Sequence, residues 1–291
     1  MDALAPTPSR EAATNAVGPA KQGAAASTGP PSGAGLPPEQ SATPHRSPPA
    51  RAPAPVRIGR WLFRFRNAVF PLVLVAILGG IRPARMTGAG AVDWGDLAGL
   101  AVALAGQSLR VAVIGYAYIR RGGKDGQVYA SRLVTEGFFA HCRNPLYLGN
   151  LLVLLGLFMV HGNPWVFVFG GGFFALAYAA IVAAEEEYLM AKFGDQYAEY
   201  CRRIHRWLPD LRGLGRSIEG MRFDWRRVVV KEYGSAYAWL AGAVLLLVYQ
   251  RAPALTAATV VSAGIVLGLL TAGWGAARLY KKRGPGPTPL T

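Results

Sequence analysis

Carboxylates, cysteines and histidines are all scarce in this chain, and each shortage excludes something. Asp and Glu number 16 against 31 Lys and Arg, a formal net charge of +15. The two cysteines, Cys142 and Cys201, stand far apart and make no CxxC pair, so neither a disulfide framework nor a cysteine-held metal is indicated. The four histidines show no zinc spacing. Water-facing stripes are missing from most of the apolar runs, which argues against a soluble helical core. No aromatic-interleaved basic module accompanies the charge, so a nucleic-acid partner is not expected.

What the chain has in quantity is hydrocarbon. Apolar runs recur at Ala68–Ile81, Leu97–Ile119, Leu146–Val160, Trp165–Ala184, Ala236–Tyr249 and Ala254–Ala272. Crossing a bilayer takes about 20 apolar residues in a helix. The second, fourth and sixth runs reach that length, and the others need flanking residues or tilt. The expected fold is all-α and polytopic, with about six transmembrane helices, a short helical hairpin among them, and a cofactor site at the cytoplasmic edge. Basic residues gather at Arg51–Arg66, Arg120–Arg143, Lys192–Lys231 and Lys281–Arg283, all on one side if every run crosses. The positive-inside rule then places both termini in the cytoplasm, in a cell inner or plasma membrane. A basic rim against anionic lipid accounts for the charge.

The remaining segments divide by composition. Residues 1–56 form a Pro/Ala/Gly/Ser-rich tract unable to bury a core and are expected to be a disordered tail. Arg57–Arg66 reads as an interfacial lead-in whose arginines snorkel. Residues 57–210 are expected to be the membrane core, 211–235 a cytoplasmic amphipathic connector, and 236–291 a two-helix membrane segment with a basic tail. The last two helices suit a lipid entrance or a dimer face.

Two polar clusters interrupt the hydrocarbon, and both should meet at the same membrane edge. His141-Cys142-Arg143-Asn144-Pro145-Leu146-Tyr147-Leu148-Gly149 opens an apolar helix, and Glu185-Glu186-Glu187 closes another. Asn144 is a favoured N-cap and Pro145 a favoured first helical residue. The free N–H groups of that helix start, beside Arg143, form a corner that attracts an anion. Glu185 and Glu186 should face water, a cation or a polar ligand, because an isolated carboxylate in lipid is costly. His161 to Pro164 should form a tight turn, and Gly170-Gly171-Gly172 allows close backbone approach. Arg110 lies ~14 Å inside its helix and needs a partner, either a carboxylate near Glu185 or an anionic group on a lipid substrate.

Read together, these residues carry a resemblance. Ser131-Arg132-Leu133-Val134-Thr135-Glu136-Gly137-Phe138-Phe139, then Arg143-Asn144-Pro145-Leu146-Tyr147-Leu148-Gly149, resembles the signature of the isoprenylcysteine carboxyl methyltransferase and phospholipid methyltransferase superfamily. Glu185-Glu186, Leu189, Phe193-Gly194, Tyr197, Tyr200, Trp207 and Pro209 continue the similarity, which covers roughly residues 97–210. The resemblance implies an integral-membrane enzyme that moves a methyl group from S-adenosyl-L-methionine to a lipophilic or membrane-associated acceptor. By position it implicates Ser131, Arg132, Leu133, Val134, Phe139, Asn144, Pro145, Leu146, Tyr147, Glu185 and Glu186 in cofactor binding. Arg143 and the helix start are expected to receive the cofactor carboxylate, and the glutamates to hold amine or hydroxyl groups and favour the positive sulfonium. Arg143, Arg110 and His141 are the candidates for substrate positioning or a base. No metal is required for displacement at carbon.

The sequence departs from the isoprenylcysteine branch at two points. That branch carries His where this chain has Asn144, and an arginine about one turn before the glutamates, where this chain has Ile181-Val182-Ala183-Ala184. A prenylcysteine carboxylate is therefore not the expected acceptor, and amine, carboxylate and thiol acceptors stay open. Alternatives are an NADPH-dependent sterol-type reductase and a non-enzymatic membrane scaffold or transporter. The reductases pair a related motif with Arg-Asp and Cys-x-x-Lys-Tyr-Gly, where this chain has Glu-Glu and Ala191-Lys192-Phe193-Gly194. Transport finds no inverted repeat of broken helices.

Overall fold

The structure is a computed structural model that describes residues 52–84, 93–116, 121–124, 127–130 and 132–283. Residues 1–51 and Ser131 lie outside the described residues. Those described belong to one compact unit, Pro49–Thr291. The order is α1 Ala54–Gly80, α2 Trp94–Tyr116, β1 Arg121–Lys124, β2 Gln127–Ala130, α3 Pro145–His161, α4 Pro164–Val166, α5 Gly172–Arg203, α6 Leu214–Ile218, α7 Trp225–Gln250 and α8 Ala257–Arg283. The architecture is helical as expected, with one short hairpin between α2 and α3: β1 and β2 pair antiparallel, Arg121 opposite Ala130 and Lys124 opposite Gln127.

Each of the six apolar runs is helical over most of its described residues, but the helices do not stop where the hydrocarbon stops. α1 begins at Ala54, inside the stretch assigned to the tail, and absorbs the whole Arg57–Arg66 lead-in. α7 begins at Trp225, so the last part of the expected connector, residues 225–235, is the first part of a 26-residue helix. Asp224 caps it, its Oδ1 accepting from the Arg227 N–H at 2.9 Å. Among the described residues four helices are long and apolar enough to cross a membrane: α1, α2, the continuous run Pro164–Arg203, and α8. α3, at 17 residues, is apolar but shorter.

The turn after α3 forms as its sequence demands. Gly162 adopts φ 72 and its N–H closes on the Phe158 carbonyl at 2.9 Å, after which Pro164 starts the next helix. A π-helical segment, Phe167–Gly171, joins α4 to α5. Close backbone approach occurs elsewhere than at Gly171 and Gly172, where an added Cβ would meet nothing within 4 Å. Gly106 and Gly149 instead hold α2 against α3; a Cβ on Gly106 would lie 2.6 Å from the Gly149 carbonyl oxygen. Gly99 and Gly156 repeat that contact further along the same seam, which is the small-residue packing that membrane helices favour.

α1 packs on α5, and α7 packs on α8, α2 and α3. α5 changes direction at Gly194, whose φ of 50 and ψ of −125 are not helical. That kink sends Tyr197, Tyr200 and the segment after Arg203 back toward the start of α3.

Candidate active site

The start of α3 is held by the chain that follows α5. The Arg143 N–H donates to the His205 carbonyl at 3.0 Å, and the Asp210 N–H donates to the His141 carbonyl at 3.1 Å. Asn144 occupies the N-cap position with Pro145 after it, but its side chain does not cap the helix. Its Nδ2 donates instead to the Arg206 carbonyl at 3.1 Å. The amide is spent on the returning segment, and the first N–H groups of α3 receive no side-chain cap.

The two glutamates separate into different roles. Glu185 is buried, and its Oε1 accepts from the Tyr147 hydroxyl at 2.7 Å. Glu186 lies between two arginines: Arg143 Nη1 at 3.2 Å, and Arg206, whose Nε donates to Oε1 at 3.1 Å. Arg143 Nη1 also donates to Cys201 Sγ at 2.8 Å, while its Nε is buried without a hydrogen-bond partner. Burial works against the Arg143 charge, but Glu186 and Cys201 outweigh it and hold the guanidinium above its usual range. Glu187 pairs with Arg60 of α1, which ties α1 to this end of α5.

These elements surround a cavity of ≈ 640 Å³. Of the residues expected to bind a cofactor, Phe139, Asn144, Pro145, Leu146, Tyr147 and Glu185 line it, as do Arg110 and Arg143. Glu186, Arg132, Leu133, Val134 and His141 do not. Arg132 is exposed. Leu133 packs against the cluster of Leu189, Tyr197 and Tyr200, and Val134 against Val113 and Phe139. The approach segment thus supports Phe139 from behind. His141 is buried, its Nδ1 bonded to the Asp210 carbonyl and its Nε2 2.8 Å from Ser217 Oγ. It clamps the returning loop.

The partner of Arg110 is also not where the sequence placed it. Arg110 makes a two-pronged ion pair with Glu232 of α7, Nε to Oε2 at 2.8 Å and Nη2 to Oε1 at 2.7 Å. Arg110 Nη1 donates to Asn150 Oδ1. Gln107 joins the network, donating to Glu232 at 3.1 Å and accepting from the Trp239 indole at 3.0 Å. Glu232 and Asn150 thus supply the protein partners that an arginine at this depth in its helix requires.

Sequence reading missed the walls contributed by α1 and α7, Arg66 and Asn67 on the first and Lys231 and Ser235 on the second, and also Asn150 of α3 and Tyr178 of α5. One signal was available, since Lys231-Glu232 directly precedes an apolar run and Glu232 is a membrane-edge carboxylate of the same kind as Glu185.

The phospholipid methyltransferase family matches residues 97–196, from α2 to just beyond the Gly194 kink. The chain is 39% identical over 79 residues to the cobalt-zinc-cadmium resistance protein CzcN of Cupriavidus metallidurans, covering 27% of this chain and 36% of that protein. It is 29% identical over 110 residues to the protein-S-isoprenylcysteine O-methyltransferase of Schizosaccharomyces pombe, covering 36% of this chain and 45% of that one. The chain therefore spans less than half the length of each of these two relatives. An uncharacterized protein of Haemophilus influenzae matches over its whole length, 36% identical over 63 residues. No solved structure matches significantly. With the helix-start cluster and its answering glutamates inside the matched segment, residues 97–196 place this part of the chain in the superfamily that unites isoprenylcysteine carboxyl methyltransferases with phospholipid methyltransferases.

Proposed function

We propose that this protein is an integral-membrane methyltransferase that transfers a methyl group from S-adenosyl-L-methionine to a lipophilic or membrane-associated acceptor, with the site and both termini on the cytoplasmic side. The observation that carries the reading is the pairing, on one cavity wall, of the uncapped start of α3 with the buried Glu185 carboxylate. An uncapped helix start and the unpartnered Arg143 Nε suit an anionic carboxylate. Glu185 suits an amine or a sulfonium, and Phe139, Tyr147 and Phe63 offer rings for an adenine. The donor set therefore fits a zwitterionic nucleoside. Bound there, S-adenosyl-L-methionine would supply an electrophilic methyl group that needs only an aligned nucleophile and the exclusion of water.

The protein's own contribution is positioning. The α2–α3 glycine seam fixes the start of α3, the returning segment fixes Arg143, and Arg143 fixes Glu186 beside Glu185. His141, held by Asp210 and Ser217, is assigned to loop anchoring and not to proton transfer. Some relatives are named for metal resistance. Among the described residues no group of three or more His, Cys, Asp or Glu is placed to hold an ion.

Calorimetry on the purified protein in neutral detergent tests the reading. Saturable binding of S-adenosyl-L-methionine is expected, with no saturable binding of NADPH. The reverse result overturns it in favour of the reductase alternative, and binding of neither favours a scaffold.

A further inference from the structure

Below the polar cavity lies a second one of ≈ 450 Å³, and the two share Phe70, Pro71, Asn150, Tyr178, Ser235 and Ala238 as walls. Its lining is otherwise mostly hydrocarbon. On α7 the lining positions Ser235, Ala238, Gly242, Leu245 and Tyr249 fall at helical spacing, so one face of α7 looks across a gap at one face of α1. The Tyr249 hydroxyl, donating to the Gly79 carbonyl at 3.4 Å, closes the far end. From Arg66 to Gly79 the α1 wall runs ~20 Å. An added Cβ on Gly242 would meet nothing within 4 Å, so the groove is open at its middle.

The charges at the polar end are unequal in their commitments. Four cations line the upper cavity: Arg66, Arg110, Arg143 and Lys231. Arg110 is paired with Glu232, and Arg143 shares Glu186 with Arg206. Arg66 lies over the Phe63 ring, 4.1 Å from its centroid, and neither it nor Lys231 has an ion pair among the described residues. One uncompensated cation therefore stands on each helix that walls the groove. Such an arrangement complements an anion carried on a hydrocarbon chain.

We propose that Arg66 on α1 and Lys231 on α7 are specificity-determining residues for an amphiphile whose phosphate or carboxylate they hold and whose tail occupies the α1–α7 groove. That this amphiphile is the methyl acceptor rests on the methyl-transfer reading above; the groove and its cations do not. α7 lies beyond the family-matched residues, so acceptor selection is placed on a helix that the family match does not reach.

The test measures retention of labelled 1-oleoyl-lysophosphatidate, neutral monooleoylglycerol and inorganic phosphate on the full chain in neutral micelles at low ionic strength, where screening is weakest. The expected result is a preference for lysophosphatidate over monooleoylglycerol of at least roughly tenfold. R66Q/K231Q should bring the two lipids to parity, and R66K/K231R should restore the preference. Gly242→Phe, projecting into the groove, should reduce retention of both lipids. Equal retention of the lipids by the unmodified protein, or an undiminished preference in R66Q/K231Q, overturns the proposal. Inorganic phosphate competing as well as the amphiphile overturns the groove assignment, because a free anion would then suffice. A parallel titration with S-adenosyl-L-methionine keeps the two readings apart. Lipid selectivity without cofactor binding leaves the groove standing and removes the methyl transfer.

Discussion

Arg110 on α2 and Glu232 on α7 form a largely buried two-pronged ion pair, with side chains 13% and 5% exposed, that joins a helix inside the family-matched segment to one beyond it. Removing one member leaves the other charged and unpaired in a low-dielectric setting. Glu232→Gln should therefore destabilise the protein by about 3–5 kcal/mol, and Arg110→Met combined with Glu232→Leu should recover most of that loss. Denaturation in detergent micelles, arranged as a double-mutant cycle, gives both numbers. Additive single and double losses would show that the pair does not couple the two helices.

Adjacent glutamates should answer differently to the same substitution. Glu185→Gln keeps the Tyr147 hydrogen bond within reach but removes the charge facing the cavity, so S-adenosyl-L-methionine affinity should fall on the order of tenfold with little change in melting temperature. Glu186→Gln removes the countercharge of Arg143 and Arg206 and should lower the melting temperature first. Calorimetry and thermal scanning on both variants separate the two. Equal effects of the two variants on binding and on melting would contradict the division of roles.

The α2–α3 seam has no room for a methyl group. Gly106→Ala would set a Cβ 2.6 Å from the Gly149 carbonyl oxygen, and should destabilise by about 1–3 kcal/mol through forced separation of the helices. Gly264→Ala on α8, where nothing lies within 4 Å, should instead be neutral or stabilise by up to ~1 kcal/mol through helix propensity. Denaturant or thermal unfolding of the two variants checks the contrast in sign.

Cys142 should be the slower of the two thiols toward maleimide. It is 1% exposed, and burial pushes its thiol up, offset in part by the Asn144 backbone and by Arg143. Because the folded thiol titrates higher than the unfolded one, its stabilising contribution is complete below the ordinary thiol value of ~8.5. It is lost as pH rises through the folded value. Mass spectrometry after timed labelling should find Cys201 modified first at neutral pH. Melting in the Cys142→Ala background should be less sensitive to alkali than in the native protein.

His141→Ala should act on the loop and not on proton transfer. Losing its bonds to the Asp210 carbonyl and Ser217 should cost about 1–2 kcal/mol. The pH dependence of methyl transfer should keep its shape. A profile that loses an ionisation in this variant would return His141 to the chemistry.

Much of the site was legible because its signals are local. Pro145 can only begin a helix, Gly162 supplies the φ that ends one, and three glutamates at a hydrocarbon boundary demand partners. That Asn144 leaves α3 without a side-chain cap was not legible. An N-cap preference describes a helix start in isolation, and here the Arg206 carbonyl competes for the same amide. The helix ends of α1 and α7 were equally hidden, since hydropathy marks where lipid begins and says nothing of where a backbone stops being helical.

By itself the sequence determined the family of residues 97–196, the helical and membrane-suited character of the chain, and the meeting of the α3 start with the end of the α5 hydrocarbon. These follow from residue type and spacing, which are properties of single helices and short turns. Only the tertiary structure decided that Glu185 faces the cavity while Glu186 faces two arginines, that Arg110 belongs to Glu232, and that α1 and α7 wall a groove below the site. Those outcomes depend on which helix faces meet, and a one-dimensional pattern does not specify the rotation of one helix against another.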